Sequence, residues 1–195
     1  AQNLIDSLNE SKNNEFYRLI NGLGIRHIGV KAAKQLAKKY KNIKEIVLNT
    51  KKVFGERPAF KFKTDKPDVL REMLYKDYLE EVICLSTALN SIGLENKRIG
   101  IIGDNRYEWE EAYMAIVSGT GVVVPLDKAL PENEIESLIL RSQVEAILYS
   151  NKYKDIMDNL RNKKNTNLKY FISMDLEENT NGIYSEKALI EKGKK

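Results

Sequence analysis

Histidine and cysteine are almost missing from this chain: one of each, His27 and Cys84, in 195 residues. A lone cysteine cannot close an internal disulfide, and this pair excludes thiolate and multi-histidine metal centres within one chain. No apolar run approaches the roughly 18 residues of a membrane-spanning helix. A strong excess of either charge is also lacking. With 32 Lys plus Arg against 28 Asp plus Glu and 42% hydrophobic residues, the chain is neither an acidic disordered tail nor a polycation. The composition is that of a soluble globular protein, with the cytoplasm as the expected compartment. The opening "AQNLIDSL" has no initiator Met, charged n-region or apolar h-region. It reads as the start of a fragment or an excised product and not as a signal peptide. At about 150 residues per domain, the length leaves room for one domain and a smaller appendage.

The net charge of +4 is unevenly spread. Residues 1–43 carry eight basic and three acidic side chains, a local +5, and the other 152 carry 24 basic and 25 acidic ones. A basic head on a neutral body points to a nucleic-acid or anionic-surface contact in the head, with a solvated helix face as the plain alternative. The head contains no Pro and the chain no internal repeat.

Residues 3–9 and 15–21 place Leu4, Ile5 and Leu8, then Phe16, Leu19 and Ile20, at helical spacing. "NGLGIRHIG" follows, with three glycines between Gly22 and Gly29 that stop the second helix in a tight connection. From Val30 to Tyr40, Ala33, Leu36, Ala37 and Tyr40 share one face and Lys31, Lys34, Lys38 and Lys41 the other. A Gly-rich turn feeding a helix N-terminus presents unpaired N–H groups that suit a phosphate. The candidate binding residues are Arg26, His27, Ile28, Gly29, Lys31 and Lys34, contacting backbone phosphates of duplex DNA without reading sequence. His27 has two open roles, phosphate donor or turn residue bonding its own backbone. "EFYRLINGLGIRHIGVKAAKQLA" resembles one helix-hairpin-helix motif of the bacterial NAD-dependent DNA ligases. His27 stands where the generic hairpin has its first Gly, a wording that this ligase family shares. In those ligases the nucleotidyl-transfer lysine, nicotinamide pocket and zinc cysteines lie in other domains, so the resemblance implies DNA contact without ligation. About 40 residues is marginal for independent folding, and the head is expected to lean on other structure.

The body, 43–195, begins with a surface helix, "NIKEIVLNTKKVFG", then two strands, "RPAFKFK" and "VLREMLY", joined by a turn at "TDKPD". A helix from Lys76 to Ser91 closes at Gly93. The apolar runs "RIGIIG", "GVVVPLD", "EAILYS" and "LKYFIS" alternate with helices "EWEEAYMAIVSG", "ENEIESLILRS" and "KYKDIMDNLRN". This is the spacing of a partial, doubly wound, mostly parallel α/β sheet with flanking helices, preceded by the small all-α head. "LYKDYLEEVICLSTALNSIGL" and the stretch from "KRIGIIGDNR" to "EAILYS" resemble the N-terminal part of an AMP-forming long-chain acyl-CoA synthetase of the adenylate-forming superfamily. Tyr75 stands in that family's first core motif. Gly119, Gly121, Pro125, Asp127 and Pro131 stand in its second, "SGTGVVVPLDKALPENEI". All six are scaffold positions, Pro131 with Glu132 opening a helix at its favoured first position.

The resemblance implies ATP, Mg²⁺ and coenzyme A in the parent family, used to convert a fatty acid to its thioester. The sequence has no phosphate loop ending in Lys: after "SGTG" come three valines, and the spacing fails the P-loop pattern. No catalytic residue, no metal ligand and no cofactor bound by this chain are therefore expected. The expected partners are weakly bound duplex DNA at the head and the remainder of a synthetase at the body. Among other residues, Asp104 is a candidate cap for the helix after "GDNR" and Arg106 a candidate partner for Glu110, with ligand contact at the strand ends as the alternative. Trp109, Tyr113 and Met114 have helical spacing, as core or as an acyl-binding wall, and Cys84 is expected to be a small buried hydrophobe. The polar tail after Asp175 reads as a truncation that leaves the last strand as an open edge.

Overall fold

The computed structural model describes residues 2–22, 28–63, 69–163 and 166–194. It packs as two compact units, 1–50 and 51–195.

In the first unit, α1 spans Gln2–Ser11, α2 Phe16–Gly22 and α3 Val30–Lys39. Ile20 of α2 is buried, as is Ala33 of α3, whose missing bulk lets the two helices pack closely. Helix α4, Ile43–Phe54, begins in this unit with a capping box. Asn42 Oδ1 accepts from the Glu45 amide at 2.9 Å, and the Glu45 carboxylate accepts from the Lys41 amide at 2.7 Å. The first bond satisfies an amide that the first helical turn leaves without a partner, and the second ties the chain just before the helix to it.

The second unit opens with the expected antiparallel hairpin, β1 Pro58–Lys63 and β2 Leu70–Leu74. Its turn at 64–68 lies outside the described residues. Phe60 meets Tyr78 at 5.0 Å and Tyr107 at 5.3 Å between ring centroids, both edge-on, so an aromatic cluster ties the hairpin to the helices behind it. Helix α5, Tyr75–Ser91, leads to β3 Arg98–Ile102, α6 Tyr107–Ala115, β4 Val122–Pro125, α7 Glu132–Ser142, β5 Ala146–Tyr149, α8 Lys154–Arg161 and β6 Tyr170–Ser173. Every pairing among these strands is parallel, in the order β4-β3-β5-β6 and then β7, Ile183–Ser185. One face packs Ile102, Ile147, Tyr149 and Phe171 against α7 and α8. Ile99 and Ile101 alternate to the other face, where α5 packs against α6 and against α9, Glu186–Gly193. Strands buried on both faces read as continuous apolar runs, which is why the sequence exposed them.

The tail differs from its expectation. It forms β7, Ile183–Ser185, beside β6, and then α9, Glu186–Gly193. Ser185 caps α9 by accepting from the Ala188 amide at 3.1 Å, and Leu189 and Ile190 are buried. The polar composition concealed this because β7 has three residues and α9 only eight.

Candidate functional site

After β4 the chain crosses back over β3 to place β5 on the opposite side, which makes the β3–β5 boundary a topological switch point. Open α/β sheets bind ligands outside the carboxyl ends of strands at such a point. Here the protein's own side chains bond across the ends of the strands. Asp175, just past β6, accepts from the Asn151 amide at 2.6 Å and from Arg106 Nη1 at 2.5 Å. Arg106 Nε also donates to Glu108 at 2.6 Å. These hydrogen bonds, that of Glu108 foremost, hold the guanidinium charged. The expected Arg106–Glu110 pair is thus replaced: a partner two residues on and a partner from the loop after β6 give Arg106 a fork that one turn of helix does not offer. Asp104 does not cap α6, which starts at Tyr107 with no side-chain cap. Asp104 instead faces Lys128 and Lys152 at 3.8 and 3.9 Å.

The "SGTG" segment lies in a tight turn between α6 and β4. Ile116–Thr120 forms a π-helical turn in which backbone groups bond within the fold while Ser118 Oγ is buried without a hydrogen-bond partner. Gly121 N–H donates to Ile116, Asn90 donates to the Gly119 carbonyl, and the Thr120 carbonyl accepts from the Asn96 amide. A Cβ on Gly121 would stand 2.2 Å from the Lys97 carbonyl oxygen, so the glycine permits a close backbone approach. The other scaffold residues lie along the same framework. Tyr75 is the first residue of α5, and Pro125 ends β4 opposite Ile101. Asp127 accepts from the Ala129 amide at 2.9 Å. Pro131 is the residue before α7, one place earlier than expected, its extended ψ of 156° leaving Glu132 as the first helical residue. Trp109 and Tyr113 stack at 5.4 Å and are half-buried, and Cys84 is buried, with burial raising its thiol pKa.

In the head, Ile28 is half-buried, Gly29 precedes α3, and Lys31 and Lys34 are exposed. Lys34 Nζ lies 4.9 Å from the Tyr17 ring centroid. Arg26 and His27 lie outside the described residues.

A model of the AMP-binding enzymes matches residues 49–193, and one of the helix-hairpin-helix motif matches 18–52. The chain belongs to the AMP-binding enzyme family. Its head resembles the helix-hairpin-helix segment of DNA ligases. The DNA ligase of Clostridioides difficile is 34% identical over 120 residues, 62% of this chain and 17% of that protein. The DNA ligase of Mycoplasma capricolum is 60% identical over 45 residues, 23% of this chain and 7% of that protein. The structure of the anthranilate CoA ligase AuaEII with anthranoyl-AMP superposes with a TM-score of 0.63 at 19% identity, over 78% of this chain and 27% of that one. A long-chain-fatty-acid CoA ligase of Rhodopseudomonas palustris, itself described as putative, gives 0.62 at 18% identity, over 75% of this chain and 35% of that one. The chain therefore spans less than a fifth of either DNA ligase and about a third of the two structures. No helix among the described residues is long and apolar enough to cross a membrane.

Sequence reasoning missed one set of residues in this domain. Glu111 and Glu186, each 2% exposed, converge on a cleft of about 450 Å³ that Asp175 and Arg106 also line. The available signal was Glu111 itself, a charged residue beside Ala112 on the buried side of α6.

Proposed function

We propose that residues 43–195 are a piece of the N-terminal subdomain of an AMP-forming long-chain fatty-acid–CoA ligase, and that these 195 residues alone do not turn over. In the parent family ATP, Mg²⁺ and coenzyme A carry a fatty acid through its adenylate to a thioester. The observation that carries this reading is the family match over 49–193 in a chain covering 27% of a CoA ligase of that fold. The absence of a phosphate loop ending in Lys, and the bonds that tie Gly119, Thr120 and Gly121 to the surrounding fold, support the inactivity. An ATP–pyrophosphate exchange assay with palmitate is expected to stay at background for the purified chain. Exchange above a no-enzyme control overturns the claim of inactivity.

A second reading rests on the head, whose helix-hairpin-helix match and exposed lysines favour weak binding of duplex DNA through phosphates. The residues proposed for it are Arg26, His27, Ile28, Gly29, Lys31 and Lys34. Gly29 has φ of −85° and no atom within 4 Å of where a Cβ would stand, so neither backbone strain nor packing calls for glycine there. Its bareness leaves the first amides of α3 open to an anion. Fluorescence anisotropy with a labelled duplex at low salt tests this, and absence of binding removes it.

A further inference from the structure

The cleft beside α6 and α9 holds buried carboxyl groups that the fold leaves without hydrogen-bond partners. Both carboxyl oxygens of Glu186 and Oε1 of Glu111 are buried without a hydrogen-bond partner. The cations around them are already engaged. Arg106 binds Glu108 and Asp175, Lys187 binds Glu177, and the Arg71 guanidinium lies 4.9 Å from the Phe62 ring centroid. An unpaired buried carboxylate costs several kcal/mol unless it is neutralised, either by a proton or by a cation brought from outside. No group of three or more acidic, His or Cys residues among those described is arranged to hold a metal ion. The rest of the lining includes Met73, Met174 and Ile190, an apolar wall suited to an alkyl stem.

We propose that this cleft binds an alkylguanidinium or alkylammonium group, its cationic head on Glu186 and Glu111 and its stem against Met73, Met174 and Ile190. A cation there must compete with protons. Glu186 is faced by Glu111, Glu108, Arg106 and Asp175, and Glu111 by Glu81 and Glu108, with the Tyr107 and Tyr78 hydroxyls nearby. Burial, reinforced by the acidic neighbours, holds both carboxyls protonated well above the usual range, so binding expels protons and strengthens as pH rises.

The test is isothermal titration of the full chain with agmatine and, separately, with a blocked Gly-Arg-Gly peptide. Saturable binding of either probe at pH 8 is expected, weakened about tenfold or more at pH 5.5 and accompanied by proton release read from buffers of different ionisation enthalpy. Glu186→Gln is expected to weaken it by about tenfold or more, since it removes the charge and keeps the shape. Binding of agmatine alone assigns the site to a small molecule. Binding of the peptide, alone or with agmatine, assigns it to an arginine side chain of a polypeptide. No saturable binding of either probe at pH 8, or binding that Glu186→Gln leaves unchanged in a variant with native circular dichroism, overturns the proposal. The wild-type titration decides by itself if the variant does not fold.

Discussion

At the scale of single residues, Glu111 makes the fold sensitive to alkali. Its carboxyl is pushed up to about 9, first by burial and then by the charges of Glu81 and Glu108, against 4.5 as the ordinary value. A native pKa above the unfolded one means that the stability is full below about pH 4.5 and is lost as pH rises towards 9. The melting temperature is therefore expected to fall between pH 5 and pH 9, and Glu111→Gln to flatten that fall by about 5 °C or more in paired thermal melts. Gly121 offers a different kind of test. Gly121→Ala puts a methyl group 2.2 Å from the Lys97 carbonyl oxygen and is expected to cost about 1–3 kcal/mol in urea unfolding, since backbone on both sides must move. The importance of Gly121 was legible in the sequence as a scaffold position, but its reason, a close approach to residue 97, belongs to the fold. The unpaired state of Glu186 was not legible at all, because nothing local to "YSEKALIEKG" says that α9 will turn this side chain inward.

At the scale of elements, α9 is the part that sequence reasoning missed and the structure makes important. It packs along α5, and the two backbones come so close that a Cβ on Gly193 would stand 2.0 Å from the Cys84 carbonyl oxygen. Leu189 of α9 is 1% exposed. Leu189→Ala is expected to cost about 2–5 kcal/mol in chemical denaturation, and a cost below 1 kcal/mol would mean that α9 is not part of the core. The strands β3 to β6 and the helices between them were legible because short continuous apolar runs, even at the edge strand β4, alternate with helical periodicity. The helix expected over 108–119 instead ends its regular part at Ala115 and continues as the π-helical turn. That turn is stabilised by Thr120 Oγ1 donating to the Ala115 carbonyl at 3.1 Å and meeting Ser86 Oγ at 3.0 Å, partners that periodicity does not reveal.

At the scale of the whole molecule, the mild +4 conceals a head of +5 and a body near neutrality. If the head engages two or three phosphates, log-log plots of its affinity for duplex DNA against salt have a slope of about −2 to −3, with a dissociation constant near 10⁻⁴ M at physiological salt. A Lys31→Ala, Lys34→Ala variant is expected to flatten that slope by about 1–2, measured by anisotropy across a salt series. The parallel sheet carries a consequence for the order in which the molecule is built. β4 is laid on β3, β5 on the other side of β3, β6 on β5 and β7 on β6. Each strand made by the ribosome finds its neighbour already synthesised and always joins at a free edge. No strand has to wedge between two that have already paired, so the sheet can grow outward in step with translation.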